Sequence, residues 1–128
     1  MDEAAHKRKL VAEIKALSGG QARRIEDRWA VGVLDLILKL PGLPLVVAEG
    51  KIFDGNLFMP TEKQFEEGQR WINAGVPALL IGWKGKTKEM FVSPMARRVD
   101  IKDGCFGSSW KDKHYYEILR IYMQNHHA

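Results

Sequence analysis

Apolar residues along the chain recur with two spacings, and these spacings divide it into helices and strands. Three segments carry apolar residues at helical spacing, and we predict them as helices: residues 2–17, 61–74 and 110–124. Continuous or alternating apolar residues predict strands at residues 33–39, 45–52, 78–83 and 89–92, with an irregular strand at 23–29. Residues 93–109 are rich in Gly, Ser and Arg and are predicted to be irregular. This order of elements predicts one α/β (α+β) domain.

The two strands at 33–39 and 45–52 are predicted to form a hairpin. Residues 40–44 combine proline and glycine, a turn signal. A turn centred on Gly42 places Asp35 directly opposite Glu49, and opposed side chains in an antiparallel pair start about 5 Å apart. Because side chains alternate along a strand, Lys51 lies on the same face as Glu49.

Two carboxylates this close repel each other unless a positive charge offsets them. The obvious candidate is a hard divalent cation, because Mg²⁺ accepts one or two carboxylates and takes phosphate oxygens into its shell. Lys51 beside it could orient an attacking water or stabilise phosphoryl charge. The alternative is a solvated Glu49–Lys51 ion pair on an edge strand, with Asp35 bonded to the backbone. The apolar residues flanking both carboxylates favour burial, where an isolated charge is costly.

These residues resemble the PD-(D/E)xK nuclease superfamily, and most closely the small stand-alone, phage-type VRR-NUC nucleases. The resemblance covers roughly residues 2–93 and rests on an ordered set of motifs: Glu3, Gly19-Gly20, Gly32-x-x-Asp35, Glu49-x-Lys51, Gln64 and Ala74-Gly75-Val76-Pro77. The chain departs from the family at Leu34, where a proline usually precedes the aspartate. That proline is structural, so its loss removes no metal ligand.

The resemblance implies a restriction-endonuclease-like core of helix, three strands, helix and strand, with an added strand and a C-terminal helix. A single nuclease domain would then occupy residues 1–128, with the core at about 2–93 and an extension at 94–128. The activity implied is metal-dependent hydrolysis of phosphodiester bonds in DNA, with a preference for branched structures such as four-way junctions or flaps. Relatives of this size tend to be homodimers.

The family's site residues can be carried over to this sequence one by one. Asp35 and Glu49 would bind Mg²⁺, or Mn²⁺ as a substitute, together with the backbone carbonyl of Gly50, and Lys51 would lie beside the attacking water. From the two helices, Glu3 would complete the acidic cluster, and Gln64 would contact the site or the DNA.

Glu3 and Gln64 each have an alternative explanation in helix chemistry. An acidic residue in the first turn of a helix is favourable to the helix dipole without any catalytic role. Gln64 follows Thr61 by three residues, the spacing of a capping box. His6, one turn after Glu3, is predicted to be an exposed helix residue.

The charge of the chain is compatible with a nucleic-acid partner but is weak evidence for one. The chain has 128 residues and a formal net charge of +4, which permits a nucleic-acid partner without requiring one. Short basic runs are usually solvated, and Lys7-Arg8-Lys9 is interpreted in that way. Near a nuclease site other basic or aromatic residues become candidate DNA contacts, and five are singled out: Arg24, Arg28, Trp29, Lys84 and Lys86.

A single cysteine, Cys105, excludes an internal disulfide and a cysteine-rich zinc site. No apolar run approaches the length of a membrane span, and no organic cofactor motif occurs, so we expect a cytoplasmic protein, in the host cell if phage-encoded. Two function classes stay open: a Mg²⁺- or Mn²⁺-dependent endonuclease, and a non-catalytic DNA-binding or architectural module on the same fold.

Overall fold

The structure is a computed structural model, and it describes residues 1–25 and 33–126. Its helices are α1 (Glu3–Lys15), α2 (Glu62–Asn73) and α3 (Tyr115–His126). The strands are β1 (Gln21–Arg24), β2 (Leu36–Lys39), β3 (Val46–Ile52), β4 (Leu57–Phe58), β5 (Ala78–Lys84), β6 (Glu89–Pro94), β7 (Val99–Asp100) and β8 (Phe106–Ser109). A short 3-10 helix, Ile101–Asp103, lies between β7 and β8.

Six of these strands form one mixed sheet in the order β1-β2-β3-β5-β6-β8. β3 and β5 pair in parallel, and every other pair in this sheet is antiparallel. Because parallel neighbours need a crossover connection, the chain passes from β3 through β4 and α2 before it enters β5. β4 and β7 pair with each other in a separate two-stranded sheet.

The helices cover both faces of the large sheet. Leu10 and Ile14 of α1 share one buried cluster with Ile118 and Leu119 of α3, together with sheet residues such as Leu36. On the opposite face, Phe65 of α2 packs against a smaller cluster that contains Val47 and Ala78. The strands at the centre of the sheet are therefore buried on both faces, as their continuous apolar runs predicted.

Several predicted boundaries differ from the structure. The strand predicted from residue 33 is β2, which begins at Leu36, so Asp35 lies just before it. β1 begins at Gln21 rather than at residue 23, and the rest of the predicted strand falls largely on residues 26–32, outside the described part. α3 begins at Tyr115 rather than at residue 110. The predicted irregular segment 93–109 contains β8, which pairs with β6 at the edge of the sheet. No helix in the described ranges has the length and apolar character needed to cross a membrane.

A close packing contact fixes the middle of β3. Gly50 lies beneath the ring of Trp83, which belongs to β5. A Cβ atom at residue 50 would lie 2.6 Å from Cζ3 of Trp83 and 3.1 Å from Cε of Lys7. The missing side chain therefore makes room for both the indole ring and the stem of a lysine from α1.

Gly50→Ala is expected to lower the free energy of unfolding by about 1–3 kcal/mol, because its methyl group overpacks this contact. Gly85→Ala is the matched control, since no heavy atom lies within 4 Å of a Cβ at that position. Urea denaturation of the two variants and the unsubstituted protein measures the difference. Equal stabilities of the two variants would contradict the packing described here.

Candidate active site

The hairpin register places Asp35 beside Glu49, as the sequence predicted. β2 pairs with β3 so that Leu36 lies opposite Ala48. Asp35 precedes β2 by one residue, and continuing the same register sets it opposite Glu49. Its backbone carbonyl accepts a hydrogen bond of 2.8 Å from the backbone N–H of Ile25, which ties it to the chain just after β1.

Glu49 is the buried carboxylate of the pair. It belongs to β3, between β2 and β5, and is 2% exposed. Burial, and secondarily the negative charge of Asp35, raise the pKa of Glu49 to about 7, although the ammonium groups of Lys7 and Lys51 oppose the shift. This carboxyl group therefore gains or loses its proton close to neutral pH.

Lys7 supplies a positive charge that the sequence analysis did not place in the site. Its Nζ donates hydrogen bonds to Asp35 Oδ2, to Glu3 Oε1 at 3.2 Å and to Glu49 Oε2 at 3.4 Å. Burial disfavours its charged form, but the hydrogen bond to Asp35 and the charges of the three carboxylates outweigh burial and raise the pKa of Lys7. Lys7 therefore stays an ammonium and brings the three acids together.

One signal in the sequence could have revealed that Lys7 is buried on the sheet side of α1. It stands four residues after Glu3 and three before Leu10, so it lies on the same helix stripe as Leu10 and Ile14, which are both fully buried. The predicted solvated run of basic residues is therefore wrong for Lys7, whereas Arg8 and Lys9 are exposed.

Each of the two central carboxylates keeps one oxygen for a further partner. Asp35 Oδ1 and Glu49 Oε1 are buried and have no hydrogen-bond partner in the described part of the chain. Buried acceptors are normally satisfied, so these two oxygens are suited to a cation. No group of three or more acidic, histidine or cysteine side chains within residues 1–25 and 33–126 is arranged to hold a metal. Two carboxylates are nevertheless enough for Mg²⁺, which completes its shell with water and phosphate oxygens.

Lys51 and Glu3 border this carboxylate pair from two sides. Lys51 Nζ lies 3.9 Å from Glu49 Oε2, and its side chain is 21% exposed, so it can reach a molecule bound from solvent. Glu3 accepts from Lys7 and, through Oε2, from the backbone N–H of Ile52 at 3.2 Å. Glu3 thus joins the cluster through Lys7 and also links α1 to the end of β3.

Gln64 is placed in a capping box at the start of α2. Its Oε1 accepts from the Thr61 N–H at 2.9 Å, and its own N–H donates to Thr61 Oγ1 at 3.1 Å. The side-chain oxygen and the backbone N–H of Gln64 are thus both bonded to Thr61. Helix-start chemistry accounts for this residue, and a contact with the site or with DNA stays a prediction.

Three of the five predicted DNA contacts, Arg24, Lys84 and Lys86, lie within the described residues. Arg28 and Trp29 lie outside the described residues, as does Gly32 of the G-x-x-D motif. Arg24 is half-buried on β1, opposite Leu36. Lys84 closes β5, and the exposed Lys86 in the following turn lines a cleft of about 460 Å³.

This cleft extends from the Lys86 turn to the end of β3, the strand that carries Glu49. Ile52, Phe53 and Asp54, which follow Lys51 in the chain, line its other side. His6 of α1 forms part of its wall. Lys86 therefore lies on a surface continuous with the end of β3.

The prediction that His6 is exposed is wrong. His6 is 3% exposed, its Nδ1 is 2.6 Å from the Tyr115 hydroxyl, and its ring stacks on Trp83 with centroids 5.2 Å apart. Burial, above all, lowers the pKa of His6. The residue belongs to an aromatic cluster between α1, α3 and the sheet rather than to the solvent face of α1.

Comparison with known proteins identifies the fold. No protein-family model and no curated protein sequence matches the chain. Among solved structures the chain is similar to Hjc of Archaeoglobus fulgidus, a Holliday junction resolvase from an archaeal hyperthermophile, with a TM-score of 0.61 and 14% sequence identity over 77% of this chain and 88% of that chain. The likeness confirms the predicted restriction-endonuclease-like fold: helices on both faces of a central mixed sheet.

Glu49 is expected to make the metal-free protein less stable as the pH rises. Its pKa is about 7 in the folded protein against an ordinary value of 4.5, so the folded state binds the proton more tightly. The stabilisation is complete below pH 4.5 and is lost as the pH rises through 7. Glu49→Gln does not titrate, so between these limits the unsubstituted protein should lose on the order of 3 kcal/mol relative to it.

Urea unfolding in EDTA at a series of pH values measures this difference. Glu66→Gln, which removes an exposed carboxylate from α2, serves as the control. A stability difference between Glu49→Gln and the unsubstituted protein that does not change with pH would contradict the burial argument.

Proposed function

We propose that the protein is a metal-dependent DNA endonuclease that hydrolyses phosphodiester bonds in branched DNA, such as four-way junctions or flaps. The observation that carries the proposal is the convergence of Asp35 and Glu49, each with a buried unpartnered oxygen, next to Lys51. The same type of fold in a solved Holliday junction resolvase supports this assignment.

Asp35, Glu49 and the backbone carbonyl of Gly50 would hold Mg²⁺, with Mn²⁺ as a substitute. Such a cation supplies Lewis-acid stabilisation of the charge that develops on a phosphate during hydrolysis. Above a pH of about 7 Glu49 is ionised and able to act as a ligand. Lys51, partly exposed beside it, would donate a hydrogen bond to the attacking water or to a phosphate oxygen and so orient the reaction.

The proposal also covers the extent of the domain, its location in the cell, its assembly and its contacts with DNA. Residues 1–128 would act as one nuclease domain of the VRR-NUC type, without an organic cofactor, in the cytoplasm of its cell or of a phage's host. Two copies would act together on a branched substrate, because opposite strands of a junction present two scissile phosphates. Arg24, Lys84 and Lys86, with Arg28 and Trp29, would contact the DNA backbone. Glu3 would complete the acidic cluster, and Gln64 would lie near the DNA.

Lys51→Ala is expected to lower the rate of cleavage at least about 100-fold, because the water or phosphate loses its positioning donor. The measurement is single-turnover cleavage of a four-way junction, a flap and a linear duplex with Mg²⁺, Mn²⁺ or EDTA. Lys63→Ala, which removes an exposed lysine from α2, is the matched control and should cleave normally. Metal-dependent cleavage that survives Lys51→Ala unchanged would overturn the mechanism.

The same experiment separates the enzyme from a non-catalytic DNA-binding module. The module would bind DNA with an affinity that falls as salt rises, would cleave none of the substrates, and would be unaffected by Asp35→Asn. The proposed enzyme should lose both cleavage and calorimetric Mn²⁺ binding in that variant.

A further inference from the structure

The ammonium of Lys7 contacts both of the carboxylates that would hold the proposed cation. Its Nζ contacts Asp35 Oδ2 and Glu49 Oε2, oxygens of the two carboxylates proposed as metal ligands. An ammonium has three N–H donors, and Glu3 Oε1 accepts the third. These three bonds use all three N–H donors of the Lys7 ammonium, so Nζ lies at the centre of the carboxylate cluster.

The position of Lys7 is imposed by packing as well as by charge. Lysine is almost never fully buried unless it is paired, yet Lys7 is 5% exposed. Its stem passes over Gly50, where a side chain at residue 50 would collide with it. α1 is fixed one and two turns further along by Leu10 and Ile14, which are fully buried, so Nζ is held over β3.

We propose that Lys7 is a positioning residue that holds the carboxylates together in the metal-free protein and competes with the metal for them. This inference rests on the proposed function and goes beyond it, because it states what sets the metal affinity. A divalent ion and an ammonium repel each other at these distances, so binding of one weakens binding of the other. The divalent ion and the ammonium therefore compete for the negative charge of the same two carboxylates, although each would contact a different oxygen of them.

The competition has opposite effects on two measurable quantities. Without metal, removing the ammonium leaves Asp35 and Glu49 facing each other without compensation, and the fold loses stability. With metal, the same removal eliminates a repulsion, and the backbone pairing of β2 with β3 still holds the carboxylates side by side. A lysine with a purely structural role would affect the metal-free and metal-loaded protein equally.

Lys7→Met tests this, because methionine keeps an unbranched stem over Gly50 and lacks the charge. Mn²⁺ is titrated calorimetrically into each protein at one fixed alkaline pH, and the thermal midpoint is measured in EDTA and in excess Mn²⁺. We expect Mn²⁺ affinity to rise roughly tenfold or more and the midpoint in EDTA to fall by roughly 5 °C. Excess Mn²⁺ should restore most of that loss. Arg8→Met, which removes an exposed charge from the same helix, should show neither effect.

The outcomes separate this inference from the proposed function. Equal or weaker Mn²⁺ binding by Lys7→Met, with normal binding by the unsubstituted protein, overturns the competition and leaves the metal site intact. Absence of Mn²⁺ binding in every variant overturns the metal site itself. If Lys7→Met does not fold in EDTA, Glu3→Gln/Lys7→Met is compared with Glu3→Gln. Removing one acid together with the ammonium lessens the imbalance, and tighter Mn²⁺ binding by the double variant supports the proposal.

Discussion

Compensation of a buried negative charge is the constraint on which this site depends. Glu49 is almost completely enclosed in the middle of the sheet, with Asp35 on the neighbouring strand. A carboxylate in such surroundings is costly unless a positive charge lies beside it. The fold meets this requirement with two lysines from different elements: Lys7 from α1 and Lys51 from β3 itself. The arrangement of the first helix and the hairpin can be understood as the means of bringing these charges together.

Several of these features could be predicted from the sequence because they depend on local rules. The proline- and glycine-containing turn sets the register of the hairpin, and that register alone placed Asp35 opposite Glu49. Apolar runs interrupted by single carboxylates predicted strands buried on both faces. The spacing of Thr61 and Gln64 predicted the capping box that the structure contains.

Other features depend on tertiary contacts, which local patterns reveal only weakly or not at all. β8 contains Gly107 and two serines, a composition with little tendency to form strands, and it is a strand because β6 pairs with it and the ring of Phe91 covers Gly107. Lys7 stands within a run of three basic residues, where charge suggests solvent, and only its place on the apolar stripe of α1 reveals its burial. His6 is buried because aromatic rings that are distant in sequence surround it.

The contact between His6 and Tyr115 links the C-terminal helix to the carboxylate cluster through the first helix. His6 directly precedes Lys7, and its ring is enclosed by Trp83, Trp110 and Tyr115. Together with the buried Leu10 and Ile14, the hydrogen bond between His6 and Tyr115, which are 109 residues apart, therefore fixes the rotation of α1 about its own axis and with it the direction of the Lys7 side chain. The last quarter of the chain therefore supports the position of α1. Substitution of its aromatic residues would shift α1 and, through Lys7, change the surroundings of the carboxylates.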